Sequence, residues 1–370
     1  MKIKKVVASI VMATVLSTSI VPNLGIQQSI VYAAEDSGNF SLNGDILSMA
    51  KGSDKIDLQV CSSKIFKVNY KPNGEEDPET LVIDPNKKWG TGNITESDIK
   101  SDPAVIKTDD MTIKISKSDL SIVVYDKSGK EIVKQNAITS AKNLSFTYSE
   151  GQDFYGISGY NKDKTPQDGT LRTGSYKVEC GSQGYVGGPF TWSTGGYGLL
   201  VDSDGGQMEI QDSSLKYSGI SKKNSEYFIM VGTPTEVMEG QAEVSGKAPM
   251  YPKWATGFTN TQWGWRDGST PEDQLKKVIE KYRAEHYPID NFCLDFDWKC
   301  WGQLDVPSGE FKWNTKNFPS ASDGKLKEWA ESEGIHLTGI MKPRLFLETE
   351  EAKTMESKGW WYTDHQEKDY

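Results

Sequence analysis

The run Ile289-Asp290-Asn291-Phe292-Cys293-Leu294 is short and mostly apolar, and it ends abruptly in two acids, Asp295 and Asp297. Bounded by Pro288 on one side and a polar patch on the other, it fits a strand buried on both faces. Carboxylates at the carboxyl end of such a strand can accept hydrogen bonds from a ligand. Trp298, Trp301 and Trp313 follow closely and offer flat apolar surfaces. Together they describe a grip for a polar ligand with apolar faces, and sugars are ligands of that kind. The alternative is an acid pair that caps the next turn, with the tryptophans as core.

Paired carboxylates also raise the question of acid–base work on a glycosidic bond. Two positions apart on a strand, Asp295 and Asp297 would project from one face about 6.5 Å apart along the backbone. A retaining pair needs carboxyl groups about 5–5.5 Å apart, which this spacing approaches. Direction speaks against it, because the two groups must flank the scissile bond and neighbours on one strand cannot straddle it. Asp295 is therefore read as an acid that accepts hydrogen bonds from sugar hydroxyls, and Asp297 as structural.

The elements around this stretch alternate. Residues 254–260 are a strand candidate, with Trp263 and Trp265 just beyond. Thr270 as N-cap and Pro271 at the first helical position open a helix whose stripe is Leu275, Val278, Ile279 and Tyr282. The strand 289–296 follows. A second helix spans about 323–333, with Leu326, Trp329 and Ala330 inward and Gly334 as its stop. A third strand covers 335–341, and a third helix about 348–358 stops at Gly359. Strand and helix in alternation predict right-handed βαβ units of a parallel sheet. No G-x-G-x-x-G follows the first strand, so a (β/α) barrel is favoured over a dinucleotide fold.

Upstream, residues 38–232 read as strand and turn throughout. Thr112-Ile113-Lys114-Ile115, Leu120-Ser121-Ile122-Val123-Val124-Tyr125, Tyr197-Gly198-Leu199-Leu200-Val201 and Tyr227-Phe228-Ile229-Met230-Val231 carry strand patterns. Asp126-Lys127-Ser128-Gly129 and Asp202-Ser203-Asp204-Gly205 read as hairpin turns. Many short strands and no convincing helix predict an antiparallel sandwich. The Gly-rich run 184–198 precedes no helix and reads as hairpin corners, not a phosphate loop. Residues 233–249 read as a short helix and linker, and 250–370 as the first three to four units of the barrel.

Bulk numbers narrow the function classes. The chain has 370 residues, enough for two domains, and a net charge of -10 that argues against nucleic acid. Eleven tryptophans and sixteen tyrosines serve either sandwich packing or stacking on sugar rings. Lys2, Lys4 and Lys5 precede an apolar stretch over 6–21, and Val31-Tyr32-Ala33 supplies small-residue cleavage chemistry, so residues 1–33 read as a signal peptide and the mature protein as secreted. No later stretch is long and apolar enough to span a bilayer. Cys61, Cys180, Cys293 and Cys300 form no convincing disulfide framework and are read as free, mostly buried thiols. Three histidines without C-x-x-C or H-E-x-x-H give a metal site little support, and no cofactor is expected.

Several motifs together resemble one enzyme family. Trp254-Ala255-Thr256-Gly257-Phe258, then Trp263-Gly264-Trp265, Tyr287-Pro288-Ile289-Asp290 and Leu294-Asp295-Phe296-Asp297-Trp298 look like glycoside hydrolase family 31. Gly309-Glu310-Phe311-Lys312-Trp313-Asn314, Phe318-Pro319 and Gly334-Ile335-His336-Leu337 are similar to the same family. Phe154-Tyr155-Gly156, Pro189-Phe190 and Gly196-Tyr197-Gly198 resemble its N-terminal mutarotase-like sandwich. The resemblance implies a retaining α-glycosidase acting on α-linked carbohydrate. It places Asp295 on hydroxyls of the sugar in the cleaved subsite, Trp263 and Trp298 along the pocket, and Ile340 and Lys342 at the end of the third strand. Many α-glucosidases of the family carry an acid where Lys342 stands, and Arg344 adds a second cation. Met341-Lys342-Pro343-Arg344 and Asp297-Trp298-Lys299 resemble the α-N-acetylgalactosaminidase-like branch.

In the family the nucleophile aspartate follows the fourth barrel strand and the acid/base aspartate the sixth, so both are expected beyond Tyr370. No catalytic residue is assigned, and the half-barrel alone is expected to be inactive and poorly soluble. Two further readings stand beside the hydrolase: a lectin-like carbohydrate-binding protein without catalysis, and a family 31 transglycosylase.

Overall fold

The structure is a computed structural model, and it describes residues 35–37, 40–80, 82–158, 170–171, 173–179, 187–262, 270–300, 311–341, 345 and 347–360. The chain forms two compact units that divide between Lys247 and Ala248.

The first unit is built from short strands of alternating burial. In chain order they are β1 (Glu35–Ser37), β2 (Phe40–Asn43), β3 (Ile46–Lys51), β4 (Asp54–Val60), β5 (Ile65–Lys71) and β6 (Glu96–Asp98). Next come β7 (Ala104–Lys107), β8 (Met111–Ile115), β9 (Ile122–Asp126), β10 (Glu131–Gln135), β11 (Asn143–Thr147) and β12 (Phe154–Ser158). The last six are β13 (Gly174–Glu179), β14 (Gly187–Ser193), β15 (Tyr197–Val201), β16 (Gly205–Gln211), β17 (Ser214–Ser218) and β18 (Ser225–Val231).

They pair antiparallel in two nine-stranded sheets, ordered β1-β2-β3-β4-β5-β18-β15-β14-β12 and β13-β16-β17-β11-β10-β9-β8-β7-β6. Alternation explains the layering. In β8, Met111, Ile113 and Ile115 are buried while Thr112 and Lys114 are not, and in β4 Ile56, Leu58 and Val60 are buried. These inward residues of both sheets meet in one apolar core, the signature of a sandwich. β15 and β18 are buried along their whole length because their second face is also covered. Helix α1 (Pro234–Ser245) lies there, burying Val237 and Val244 against Phe228, Met230 and Leu200. Thr233 and Glu236 form a reciprocal capping box at its start. The segment read as helix and linker is thus a helix packed on the sandwich.

Two turns separate cleanly. Asp126 accepts hydrogen bonds from the amides of Ser128 and Lys130 and closes the β9–β10 hairpin as expected. The stretch 202–204 is not a hairpin turn: β15 belongs to one sheet and β16 to the other, so it carries the chain across the sandwich. A local sequence pattern gives a change of direction but not the sheet in which the next strand pairs. Asp202 is fully buried at this crossing and is held by Lys222 at 2.5 Å.

In the second unit β19 (Thr259–Gln262), β20 (Asn291–Leu294) and β21 (His336–Gly339) form a three-stranded parallel sheet in chain order. Between and after them run α2 (Pro271–Ala284), α3 (Lys325–Ser332) and α4 (Glu350–Ser357). Phe292 and Leu294 of β20 pack with Leu275 and Ile279 of α2 and Leu326 and Ala330 of α3. The helix layer therefore lies on one face of the sheet. Gly334 (φ 64) and Gly359 (φ 64) end α3 and α4 in the left-handed conformation, as their positions predict.

Three local expectations are corrected. Residues 254–256 belong to a 3-10 turn, Lys253–Thr256, entered from Pro252, and the strand starts later, at Thr259. Thr270 precedes α2 but its side chain makes no capping bond, while Pro271 stands in the first turn as expected. Strand β20 stops at Leu294, and residues 296–298 form a 3-10 turn. Asp295 and Asp297 consequently do not share a strand face, and the spacing derived from an extended backbone does not apply. The cause is local: the Asp295 carboxylate accepts the Phe296 amide at 2.7 Å and turns the chain.

Candidate functional site at the carboxyl edge of the parallel sheet

The three parallel strands end in register. Gln262 lies beside Leu294, and Leu294 beside Gly339. Residues that follow Leu294 and Gly339 gather at one edge of the sheet, which is where parallel αβ folds place ligand groups. Asp295 follows β20 directly and Ile340 follows β21 directly. The structure thus brings two of the sequence-predicted residues to neighbouring strand ends. Trp263 and Lys342 lie outside the described residues, as do Trp265, Trp301 and Arg344.

Side-chain parity sets what this edge faces. Phe292, Leu294 and Leu337 point toward the helices, so Asn291, Cys293 and Thr338 belong to the opposite face. That face is polar across all three strands. The buried Asn291 donates to Thr338 Oγ1 at 2.9 Å and to Thr259 Oγ1 at 3.3 Å. These bonds tie β19, β20 and β21 together below Asp295. Sequence reasoning missed Asn291; its signal was an amide at an odd position in a strand whose even positions are apolar.

Asp295 is half-buried. One carboxylate oxygen holds the Phe296 amide, and its backbone carbonyl accepts the Trp298 amide at 3.2 Å. The acid therefore caps its turn, as the alternative reading had it, and a second carboxylate oxygen remains to accept a ligand hydroxyl. Ile340 is half-buried and fixed from both sides: its amide donates to Leu294 O at 2.9 Å, and its carbonyl accepts the Trp298 indole N–H at 2.8 Å. Trp298 packs edge to face on Trp313, with ring centroids 5.2 Å apart at 70°. Trp313 continues into Phe318 at 6.0 Å. Trp298 and Trp313 pack on the helix-side core and Phe318 is buried in it, so these two tryptophans serve as core, as the alternative reading had it.

Three other groups hold the scaffold. Glu272, buried at the start of α2, accepts Lys276 Nζ at 2.7 Å, the Ser320 amide at 2.9 Å and the Ser320 hydroxyl. Burial works to raise this carboxyl, but the bonds from Lys276 and Ser320 outweigh it and hold it below the usual range. Arg283, near the end of α2, donates to the carbonyls of Glu333, Ile289 and Gly334, joining α2 to the end of α3 and the entry of β20. Lys299 is fully buried, with Nζ 5.2 Å from the Phe311 ring centroid. Among the described residues no group of three or more His, Cys, Asp or Glu is placed to hold a metal ion. Cys61, Cys293 and Cys300 form no disulfide among the described residues, and of the three only Cys61 is fully buried; Cys180 lies outside the described residues.

Chemically, the edge offers one carboxylate acceptor at the end of a sheet whose face away from the helices is polar. That combination suits hydroxyl-rich ligands.

Comparison with known proteins gives the same direction. Residues 248–370 match the family described as "Glycosyl hydrolases family 31 TIM-barrel domain". The chain is 34% identical over 353 residues to a 1,6-alpha-glucosyltransferase of Sporosarcina globispora, covering 88% of this chain and 27% of that protein. It is 25% identical over 333 residues to an alpha-xylosidase of Saccharolobus solfataricus, covering 84% of this chain and 43% of that protein. Among solved structures, a family 31 alpha-xylosidase from a soil metagenome complexed with xylose superposes with a TM-score of 0.73 at 19% identity, covering 87% of this chain and 49% of that one. The chain thus spans less than half the length of each of these relatives.

Proposed function

This chain belongs to glycoside hydrolase family 31, and from that premise we propose that it contributes the sandwich and the first units of a catalytic (β/α)8 barrel to an enzyme that cleaves α-glycosidic bonds with retention. The observation that carries this is Asp295 at the carboxyl end of β20, level with Ile340 at the end of β21. In this reading Asp295 accepts hydrogen bonds from hydroxyls of the sugar in the cleaved subsite, and Ile340 lines the pocket. Trp263 and Lys342 are proposed to complete it. The nucleophile and the acid/base aspartates are proposed to lie elsewhere in the enzyme, because neighbours two positions apart after one strand cannot flank a bond from opposite sides.

Residues 1–33 are proposed to be a cleaved leader that exports the protein. N-terminal sequencing of culture-medium protein is expected to start at residue 34.

A panel of nitrophenyl α-glycosides separates the functional readings. The chain alone is expected to release no nitrophenol while still binding an α-linked glucoside. Steady release by residues 34–370 would remove the placement of the catalytic acids elsewhere. Binding that is undiminished in Asp295→Asn would move the sugar site to the sandwich, as in a lectin.

Transfer to a sugar is the second reading, and the 34% relative named as a 1,6-alpha-glucosyltransferase favours it. Hydrolysis and transfer share a covalent intermediate and differ in whether water or a sugar hydroxyl receives the glycosyl group. Product analysis of the enzyme containing this chain, incubated with maltose, decides between them: free glucose alone means hydrolysis, new α-linked oligosaccharides mean transfer.

A further inference from the structure

We propose that Trp298 is a positioning residue whose indole clamps the ends of β20 and β21 and thereby fixes Asp295 relative to Ile340, an inference that rests on the sugar site proposed above. The two strands share their last ladder bond where the Ile340 amide donates to Leu294 O at 2.9 Å. Beyond that point the chain after β20 turns away, and nothing in sheet pairing holds Asp295 beside β21. Trp298 supplies the missing tie. Its backbone amide donates to Asp295 O at 3.2 Å, and its indole N–H reaches across to Ile340 O at 2.8 Å. The acid and its neighbour on the next strand are thus linked through one side chain.

Gly339 makes the tie possible. A Cβ at residue 339 would sit 2.8 Å from Trp298 Nε1 and 3.1 Å from both Cδ1 and Cε2, closer than packed atoms allow. The indole lies directly on the β21 backbone because residue 339 has no side chain. From behind, the tryptophan is held by Trp313 packed edge to face and by the Asn314 amide, which donates to Trp298 O at 2.9 Å. The bridge between Lys299 and Trp313 and the Cys300 amide on Lys312 O at 2.9 Å extend that support. With its N–H engaged, one face against Gly339 and Trp313 packed against the ring, this indole is placed to fix backbone and not to stack on a sugar.

The test uses the full chain with isomaltose as probe, titrated calorimetrically, and amide hydrogen exchange read at residue 340. Trp298→Phe keeps a ring but removes the N–H; Gly339→Ala leaves Trp298 intact but displaces it. Both are expected to weaken isomaltose about tenfold, the value of roughly one hydrogen bond, and to speed exchange at Ile340. The double variant is expected to bind no more weakly than either single one, since both break one device. Wild-type affinity in Gly339→Ala, with or without a loss in Trp298→Phe, overturns the proposal, because a sugar-stacking tryptophan behaves that way. Faster exchange at Ile340 with unaltered affinity also overturns it, leaving a clamp without a positioning role. Isomaltose binding that is undiminished in Asp295→Asn removes the sugar site itself and the positioning role with it. Absence of binding by the unsubstituted chain does the same, while exchange at Ile340 still reports whether the clamp exists.

Discussion

Asp295 caps its turn with one carboxylate oxygen and is proposed to hold sugar hydroxyls with the other, and the neutral isostere separates the two roles. One oxygen caps the turn through the Phe296 amide; asparagine retains an acceptor for that bond. The charge-assisted bonds proposed to sugar hydroxyls are lost. Asp295→Asn is therefore expected to weaken α-glucoside binding by about 2 kcal/mol, roughly thirtyfold, with an unaltered circular dichroism spectrum. Thiol chemistry offers an independent check on burial at this scale. Burial pushes the Cys61 thiol up to about 12, whereas Cys293 and Cys300 are only half-buried. Iodoacetamide on the native chain is expected to modify Cys293 and Cys300 well before Cys61, as read by peptide mass spectrometry. That a cysteine in a strand is buried was legible from the apolar text around it. Which of them reacts depends on neighbours brought from distant sequence, and was not.

At the scale of elements, the start of α2 depends on a buried acid and not on the threonine that sequence rules select. Glu272 receives bonds from Lys276, one turn along its own helix, and from Ser320, which lies 48 residues downstream. Its folded carboxyl is held below the ordinary value of 4.5. The sign follows from proton linkage: the stabilisation is present above the unfolded value and is lost as pH falls through the lower folded one. The second unit is thus expected to lose stability in acid below about pH 4.5. Glu272→Gln is expected to destabilise it by about 1–2 kcal/mol at pH 7 and to flatten that acid dependence, measured by urea titration of the 3-10 turn and α2 region. Propensity rules found Pro271 and the apolar stripe, because those act within one helix. They missed Ser320, because a capping partner from another element leaves no local trace.

For the whole molecule, the two units differ in how much apolar surface each buries. The sandwich closes a core drawn from both sheets and covers a further face with α1. The parallel sheet covers one face with helices and leaves the Asn291–Thr338 face polar. Two transitions are therefore expected on chemical denaturation, with amides of 336–339 losing exchange protection at lower urea than those of 225–231. A single cooperative transition for both segments would show that the units stabilise each other.

The sequence by itself determined the kinds of element and their order: alternation marked the strands, the stripe Leu275-Ile279 marked a helix, and glycines at 334 and 359 marked helix ends. These are signals carried between residues a few positions apart. It also carried the motifs around Asp295, which pointed to glycoside hydrolase family 31 before any geometry was known. Only the tertiary structure decided that the chain crosses between sheets at Asp202, that β20 breaks into a turn at Asp295, and that Trp298 lies on Gly339. Each of those depends on a contact between residues far apart in the chain, and such a contact is fixed by packing and not by local pattern.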